Sequence, residues 1–333
     1  MARHEAGFVL TKTPLRITFA GGGTDTPAYY KEHGPGAVVD AAIGHYIYVA
    51  AGNNFYPDEI RVSYSMTENA LKSVDDIRHP TVREAMKLLR VEGGIQIVSI
   101  TEIPSKGTGL GSSSSFLVGV LNALHNRKGQ KVAPRQLAEE ACLIERERLK
   151  EPGGLQDQYI AAYGGIKYME FDSDGRVSLS DIRINYESML ELQSQIMLFY
   201  TGIERSSTRI HATQALGVQK NLEQYNRMRG LAAEARDAIE AGDWEAVGGI
   251  LHKGWLIKRR LAGGISNTRI DGWYEMARKG GALGGKILGA GGGGFLMLFT
   301  PREKQAGVRR ALRGLREIPV RFETMGSTVV YEC

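Results

Sequence analysis

The sequence predicts an α+β protein with two domains. Segments typical of strands and of helices are both present over its 333 residues, but they do not alternate strictly as in a doubly wound parallel sheet. With 42% hydrophobic and 24% charged residues, the composition is that of an ordinary folded chain. The length allows two cores, and we place the domains at residues 1–190 and 191–333.

The first domain begins with strands. Between residues 8 and 100, runs rich in β-branched and aromatic residues are separated by turn residues, and short helices are expected near residues 26–32 and 80–90. The predicted strands are FVLTKT, LRITFAG, GAVVDAAI, YIYVAAG, IRVSYS and GIQIVSI.

Three consecutive helices are predicted over residues 112–163. Pro134 suits the first turn of the second helix, and Gly164 with Gly165 ends the third. Strands resume in GIKYMEF, RVSLSDIRI and QIMLFYTG. After a helical region over residues 203–280, we expect a strand in KILGAG, a strand in GFLMLFT, a helix in REKQAGVRRALRGL and a final strand pair in VRFETMGSTVVYE.

Charge and composition exclude several classes of protein. The net charge of +5 favours an acidic partner, but the Lys and Arg residues are dispersed, so no nucleic-acid partner is expected. No apolar run approaches the roughly 18–20 residues of a membrane span, so we expect no membrane partner and a cytoplasmic location. Cys142 and Cys333 lie far apart and the histidines lack ligand spacing, which argues against structural zinc. Homo-oligomer formation stays open.

The segment SKGTGLGSSSSF, residues 105–116, predicts a phosphate-binding loop. Its three glycines can adopt positive φ and present backbone N–H groups to a ligand. A helix is predicted to start at the four serines, because apolar residues recur at i, i+3, i+4 and i+7 after them: Leu117, Val120, Leu121 and Leu124. A helix N-terminus with hydroxyl groups beside it can bind phosphate oxygens or a magnesium ion.

Two further glycine-rich segments lie at residues 19–27 and 289–295. The segment at residues 289–295 contains G-x-G-x-x-G, a pattern found in dinucleotide-binding proteins, so a dinucleotide-dependent oxidoreductase is an alternative function. Strand-like residues follow this segment, however, where a dinucleotide-binding loop would open a helix. G-x-x-x-x-G-K at residues 280–286 is not a Walker A loop, because Ile287 replaces the hydroxyl residue.

Phosphoryl transfer also requires charged groups. Glu145 lies on the apolar face of a predicted helix and is a candidate for holding a metal ion, with pairing to Arg146 or Arg148 as the structural alternative. Asp157 lies on the buried side of the next helix and is a candidate base. Arg16, flanked by apolar strand residues, would be costly to bury alone, so we predict that it pairs with Asp157.

Taken in order, the three glycine-rich segments resemble the three motifs of the GHMP kinase superfamily of galactokinase, homoserine kinase and mevalonate kinase. The resemblance spans nearly the whole chain and implies an ATP-dependent kinase with Mg²⁺ as cofactor. It also implies a GHMP kinase fold, with an N-terminal domain like ribosomal protein S5 domain 2 and a C-terminal ferredoxin-like domain. The active site is expected between the two domains.

The resemblance implies specific roles. Arg16 and Asp157 are similar to the catalytic residues, Ser112 and Glu145 to the metal ligands, and Gly22, Gly23, Thr24 and Asp25 to sugar contacts. The ATP contacts would be Ser105, Lys106, Gly107, Thr108, Gly109, Leu110, Gly111, Ser112, Ser113, Ser114, Ser115, Gly291 and Gly292.

The substrate implied by the resemblance is a sugar phosphate. At Gly22 and Gly23 the chain departs from galactokinase, which has an acidic residue and a histidine there. Several segments resemble the heptose 7-phosphate kinases of the superfamily, which implies phosphorylation at C1 for a surface polysaccharide precursor, with a fucose or galactose kinase as the alternative. The residues considered for binding the substrate's own phosphate are Lys106, Arg205, Arg209 and Lys286.

Overall fold

The computed structural model describes residues 6–104, 107–204 and 207–333. The strands are β1 (Phe8–Ala20), β2 (Gly36–Asn53), β3 (Ile60–Ser63), β4 (Thr67–Leu71), β5 (Ile95–Thr101), β6 (Ile166–Phe171), β7 (Val177–Asp181), β8 (Ile196–Tyr200), β9 (Gly284–Ile287), β10 (Phe295–Phe299), β11 (Arg316–Ile318) and β12 (Thr328–Glu332). The α-helices are α1 (Pro27–His33), α2 (Pro80–Leu89), α3 (Ser112–Arg127), α4 (Pro134–Cys142), α5 (Gln156–Tyr163), α6 (Tyr186–Ser194), α7 (Ser207–Leu216), α8 (Leu222–Ala241), α9 (Trp244–Lys258), α10 (Thr268–Lys279) and α11 (Gln305–Ala311).

The first sheet contains eight strands within the described residues. Its main order is β12-β1-β2-β5-β3-β4, and β6 pairs with both β2 and β7. All pairs are antiparallel except β3 with β5. The predicted segments FVLTKT and LRITFAG form the single strand β1, because a register shift between Pro14 and Leu15 accommodates the proline within the pairing with β2.

Helix α3 packs on β1 and β2 and starts at the serines, as predicted. The four apolar residues that predicted its buried face are at most 1% exposed: Leu117, Val120, Leu121 and Leu124. Pro134 lies in the first turn of α4, and Gly164 at φ +69° ends α5, which confirms both of those predictions. Between α4 and α5 the chain makes a π-helical turn at Leu143–Arg148.

The second sheet has the strand order β11-β8-β10-β9, with every pair antiparallel. Numbered along the chain, this order is 4-1-3-2, which is the ferredoxin-like arrangement that the resemblance implies. Helix α9 packs on β9 and β10. Helix α6, which the sequence pattern did not predict, precedes the first strand of this sheet.

The two sheets do not separate cleanly at residue 190. Of the final strand pair predicted in VRFETMGSTVVYE, only the second segment forms a strand, β12, which pairs with β1, while Phe322 of the first segment makes a single bridge to Ile43. Strand β11 precedes that segment and joins the second sheet. Helix α8 also packs on β1 and β2. The expected domain of residues 191–333 therefore contributes one strand and one helix to the first layer, and the cavity between the sheets is bordered by both halves of the chain. In the part of the chain that the structure describes, no helix has the length and hydropathy to cross a membrane.

Candidate active site

Arg16 and Asp157 form the ion pair that the sequence predicts. The guanidinium group donates from Nε to Oδ1 and from Nη2 to Oδ2 of Asp157, both at 2.8 Å. Burial alone would raise the pKa of Asp157, but the charge and the hydrogen bonds of Arg16 outweigh it and hold that pKa below its ordinary value. Asp157 is therefore an ionised carboxylate with a fixed orientation, and it lines a cavity between the two domains.

The glycine-rich loop lies next to this pair in space. Gly107, Gly109 and Gly111 all have positive φ, between 70° and 76°. A Cβ atom at Gly109 would lie 2.4 Å from the carbonyl oxygen of Leu288, so only glycine allows the loop to pack against the third glycine-rich segment. The other described residues of the loop, Thr108 and Leu110, are buried. Ser105 and Lys106, which were assigned to ATP binding, lie outside the described residues.

The four serines of the first turn of α3 have different roles. Ser113 and Ser114 donate to Oε1 and Oε2 of Glu145 at 3.0 and 2.8 Å, and all three residues line the cavity. The Ser112 hydroxyl lies instead 3.3 Å from the Thr108 hydroxyl, and Ser115 donates to a main-chain carbonyl of β1. The contacts of Glu145 are thus with Ser113 and Ser114 and not with Ser112.

Glu145 is nearly fully buried, as its helical spacing predicts. Its carboxylate also accepts hydrogen bonds from Gln158 and, at 3.4 Å, from Arg146. The predicted alternative of pairing with Arg146 is therefore realised together with the contacts to the serines. A carboxylate beside two hydroxyl groups is a set of hard oxygen donors, which fits the coordination preference of Mg²⁺.

The loop after β1 carries the predicted sugar contacts. Gly22, Gly23 and Asp25 line the cavity, whereas Thr24 is fully buried and its hydroxyl hydrogen-bonds the main chain of Gly21 and Ala37. Thr24 therefore shapes the loop and does not face the cavity.

Asp25 is the acidic group at the end of this loop. It accepts hydrogen bonds from the backbone N–H groups of Gly23 and Gln156. Burial, and secondly the charge of Asp157, raise the pKa of Asp25. The two carboxyl groups of the cavity are thus shifted in opposite directions.

The third glycine-rich segment connects β9 to β10 and does not open a helix. It therefore lacks the strand-to-helix turn that dinucleotide binding requires, which removes the main support for an oxidoreductase. Gly289 lines the cavity, while Gly291 and Gly292 are buried against Ile265. Gly291 and Gly292 therefore fix the path of the segment and do not line the cavity.

Comparison with known proteins places these features in a family. The model of the GHMP kinases N terminal domain matches residues 80–165, and the model of the GHMP kinases C terminal domain matches residues 235–315. The D-glycero-alpha-D-manno-heptose 7-phosphate kinase of Campylobacter jejuni is 31% identical over 320 residues, which cover 92% of this chain and 93% of that protein. The chain belongs to the GHMP kinase family.

Solved structures of related proteins agree with the GHMP kinase fold. A putative sugar kinase from Campylobacter jejuni has a TM-score of 0.80 at 28% identity, over 99% of this chain and 100% of that one. A D-glycero-D-manno-heptose 1-phosphate kinase from Bacteroides thetaiotaomicron has the same TM-score at 24% identity, over 97% and 99% of the two chains. The predicted α+β GHMP kinase fold, with an N-terminal and a C-terminal domain, is thereby confirmed.

The cavity of this GHMP kinase also contains residues that sequence reasoning missed. Thr208, His211 and Gln214 reach it from α7, and Lys258 reaches it from the end of α9. Their segments show no motif, because a helix that borders a cavity from another domain keeps the ordinary helical pattern. Of the cations considered for the substrate phosphate, Lys286 lines the cavity, Arg209 is exposed and does not, and Lys106 and Arg205 lie outside the described residues.

A second groove adjoins the serines on the side of the first sheet. Ser112 and Ser113 line it, and the rest of its walls are mainly apolar and aromatic: Ile47, Tyr64, Met66, Ile100 and Phe116. A planar base could stack in such a groove while the attached phosphates reach the N-terminus of α3. The strand IRVSYS and the helix start were predicted, but nothing in their sequence indicated that they form one groove.

Proposed function

We propose that the protein transfers the γ-phosphoryl group of ATP to the C1 hydroxyl of D-glycero-D-manno-heptose 7-phosphate, which gives heptose 1,7-bisphosphate. The observation that carries the proposal is the bidentate pair of Arg16 and Asp157 beside the glycine-rich loop, in a chain that is 31% identical to a heptose 7-phosphate kinase. The product would serve the synthesis of a surface polysaccharide such as capsule, lipopolysaccharide or S-layer glycan. Because ATP and sugar phosphates are intracellular compounds, we place the reaction in the cytoplasm.

Asp157 has the chemistry to receive the acceptor hydroxyl. The C1 oxygen attacks the γ-phosphorus as the bond to the ADP oxygen breaks, and the hydroxyl proton passes to the Asp157 carboxylate. Because Arg16 lowers the pKa of Asp157, the carboxylate is a weak base, and we assign it a large part in orienting the hydroxyl as well. Arg16 keeps Asp157 ionised and adds positive charge near the transferred group.

ATP is the phosphoryl donor of GHMP kinases, and we propose a specific position for it. The phosphates lie against residues 107–115, at the N-terminus of α3, where Ser113 and Ser114 line the cavity. The adenine occupies the apolar groove beside Phe116 and Tyr64. Tyr64 and Phe116 both contact the ring of His79, which forms part of the same wall.

Mg²⁺ would be held by Glu145 and the neighbouring hydroxyls of Ser113 and Ser114. When bound, the ion neutralises charge on the ATP phosphates. The nearly complete burial of Glu145 supports this position, because a buried carboxylate that is already held by hydroxyl and amide donors is pre-oriented. Ser112, the ligand expected from the sequence, is the alternative ligand, since it lies one residue away in the same turn.

The sugar would contact the loop at Gly22, Gly23 and Asp25. Glycine at the first two positions leaves room that the acidic residue and histidine of galactokinase fill, which favours a different sugar from galactose. The Asp25 carboxylate can accept hydrogen bonds from sugar hydroxyls, and its raised pKa brings it closer to neutrality than Asp157.

A panel of sugars tests the proposed function. Purified protein would be incubated with Mg-ATP and heptose 7-phosphate, unphosphorylated heptose, fucose, galactose or mannose, and the product position read by phosphorus NMR. We expect the highest kcat/KM with heptose 7-phosphate and a new phosphate at C1. A higher value with fucose or galactose would assign the protein to another branch of the family, and equal values for heptose and heptose 7-phosphate would contradict recognition of the phosphate.

A further inference from the structure

The cavity wall contains a lysine, Lys286, that the proposed reaction does not use. Lys286 belongs to β9 of the second sheet, but its ammonium group donates a hydrogen bond across to the carbonyl oxygen of Phe19 on β1, at 3.3 Å. Lys286 lines the cavity and is only 6% exposed. An ammonium group has three donors, and within the described residues this long hydrogen bond is the one that Lys286 makes. Donor capacity therefore remains beside the cavity.

Asp40 is a buried carboxylate that acts electrostatically on this lysine. It lies on β2 in register with Thr18, and it is completely buried. Neither of its oxygens has a partner with hydrogen-bond geometry in the described part of the chain, although the Thr18 hydroxyl is close enough to favour the ionised form. Burying a carboxylate in this way is costly unless nearby cations compensate for it. Burial raises the pKa of Asp40 to about 7, and the charge of Arg16 opposes that rise.

Asp40 acts in turn on Lys286. Burial lowers the pKa of the Lys286 ammonium group, and the Asp40 carboxylate opposes this shift while Arg16 adds to it. Asp40 thus lies within electrostatic range of two cations, Arg16 from its own sheet and Lys286 from the other domain. Arg16 is already bound to Asp157, so Lys286 is the cation that stays available.

Lys258 and Arg146, two other cations that line the cavity, donate hydrogen bonds to nearby acceptors of the protein. Lys258 donates to the carbonyl oxygen of Gly289. Arg146 donates to the carbonyl oxygen of Glu151 at 2.7 Å and to Glu145 at 3.4 Å. Lys286 combines burial, a position on the cavity wall and uncommitted donors, which is what recognition of a phosphate group requires.

We propose that Lys286, a buried lysine on the cavity wall with uncommitted donors, binds a phosphate monoester group in the cavity. Phe19, which receives the hydrogen bond of Lys286, leads into the loop at residues 21–25 that is proposed to contact the sugar. The phosphate already present on the sugar is therefore favoured over those of ATP, which have the glycine-rich loop and α3 as donors. Lys286 is then a specificity residue, and Asp40 is the buried carboxylate that acts on it electrostatically. This inference rests on the proposed function for the identity of the sugar phosphate.

Steady-state kinetics of Lys286→Met test the assignment. We expect KM for heptose 7-phosphate to rise roughly tenfold to a hundredfold, because a charge-assisted hydrogen bond is lost, with KM for ATP and the unfolding temperature nearly unchanged. Lys279→Met, an exposed lysine on α10, is the matched control and should change neither KM. A rise in KM for ATP alone would move Lys286 to the ATP phosphates and overturn the sugar assignment. Unchanged constants, or lower stability with unchanged constants, would overturn the whole inference.

Binding of inorganic phosphate separates this inference from the proposed function. If wild-type protein does not turn over heptose 7-phosphate, the proposed function fails, but weaker phosphate binding to Lys286→Met in equilibrium dialysis would still support Lys286 as the phosphate-binding cation. Equal binding by both proteins would contradict it. If Lys286→Met does not fold, Lys286→Gln, which retains a donor without the charge, takes its place in both measurements.

The role of Asp40 has its own readout in the pH profile of phosphate binding. In wild-type protein we expect phosphate binding to weaken as pH rises and the Lys286 ammonium group loses its proton. In Asp40→Asn this loss should begin at lower pH, since the carboxylate that raises the pKa of Lys286 is gone. The other ionisable groups that line the cavity, unchanged in this comparison, are Arg16, Asp25, Glu145, Arg146, Glu151, Asp157, His211 and Lys258. Identical profiles in wild-type protein and Asp40→Asn, which a purely structural role of Asp40 predicts, would contradict its electrostatic effect on Lys286.

Discussion

At the scale of single residues, a substitution at Asp157 distinguishes two roles of a carboxylate in phosphoryl transfer, which are to accept the proton of the acceptor hydroxyl and to orient that hydroxyl. Asp157→Asn keeps the shape of the side chain but cannot accept the hydroxyl proton. We expect kcat to fall roughly 10²–10⁴-fold while ATP binding and the unfolding temperature change little. Single-turnover kinetics with heptose 7-phosphate and ATP would measure the loss. A rate near that of wild type would contradict the role of Asp157, and a loss of only a few-fold would indicate that it mainly orients the hydroxyl.

The magnesium requirement provides a second test at this scale. Glu145→Gln and Ser113→Ala should raise the Mg²⁺ concentration needed for half-maximal rate more than they raise KM for the sugar, because both remove oxygen donors from one side of the cavity. A magnesium titration at fixed sugar concentration measures this. Ser112→Ala is the comparison variant, and a larger effect there than at Ser113 would restore the sequence-based assignment of Ser112. Loss of sugar affinity alone would contradict the proposed metal position.

The residues that could be predicted are those whose type conflicts with their surroundings. Arg16 and Asp157 are charged residues in apolar patterns, so burial implied a partner, and the structure confirms the pair. Asp40 has the same kind of conflict within GAVVDAAI but was not singled out, because its cation Lys286 is far away in sequence and belongs to another sheet. Which serine contacts Glu145 could not be predicted either, since it depends on the rotation of α3 relative to the π-helical turn.

At the scale of elements, the contact between the second and third glycine-rich segments decides the shape of the cavity wall. Gly109→Ala places a Cβ atom 2.4 Å from the carbonyl oxygen of Leu288, on a residue with φ of +76°. We expect weaker ATP binding by at least roughly tenfold, since the loop must move away from its phosphate-binding position. Calorimetric titration with a nonhydrolysable ATP analogue would measure it.

Gly175→Ala is the control for backbone strain. Gly175 has a similar φ of +86°, but a Cβ atom there would meet no other atom within 4 Å. Both variants incur a left-handed backbone penalty of about 1–2 kcal/mol, and only Gly109→Ala adds the clash. Equal ATP affinity in the two variants would show that the contact between the segments does not matter for the nucleotide.

Element positions were mostly predictable, whereas element continuity and neighbours were not. The hydrophobic patterns located β1, β2 and α3, but β1 and β2 were each predicted as two strands, with Pro14 and Gly44 lying between the predicted segments. Pairing on both sides supports these long strands, and local patterns carry no information about pairing. The same reason explains why the approach of α7 to the cavity was missed.

At the scale of the whole molecule, β12 ties the end of the chain to the first sheet. Removing residues 328–333 would expose the outer edge of β1 along Val9–Lys12. We expect a lower unfolding temperature, by roughly 1–2 °C for each kcal/mol of pairing lost in a protein of this size, and stronger aggregation on heating. Differential scanning calorimetry with light scattering would measure both. Lys279→Met should match wild type, and a truncated protein that does so too would contradict a stabilising role for β12.

The return of β12 also has a consequence for the order in which the protein is made. Strand β12 follows β1 by about 300 residues, so at roughly 5–20 residues per second a ribosome needs roughly 15–60 s to complete it. During that interval the nascent first sheet has an open β1 edge, which can pair with another strand. Nascent chains stalled before residue 328 should therefore crosslink to chaperones through Val9–Lys12, whereas released full-length chains should not.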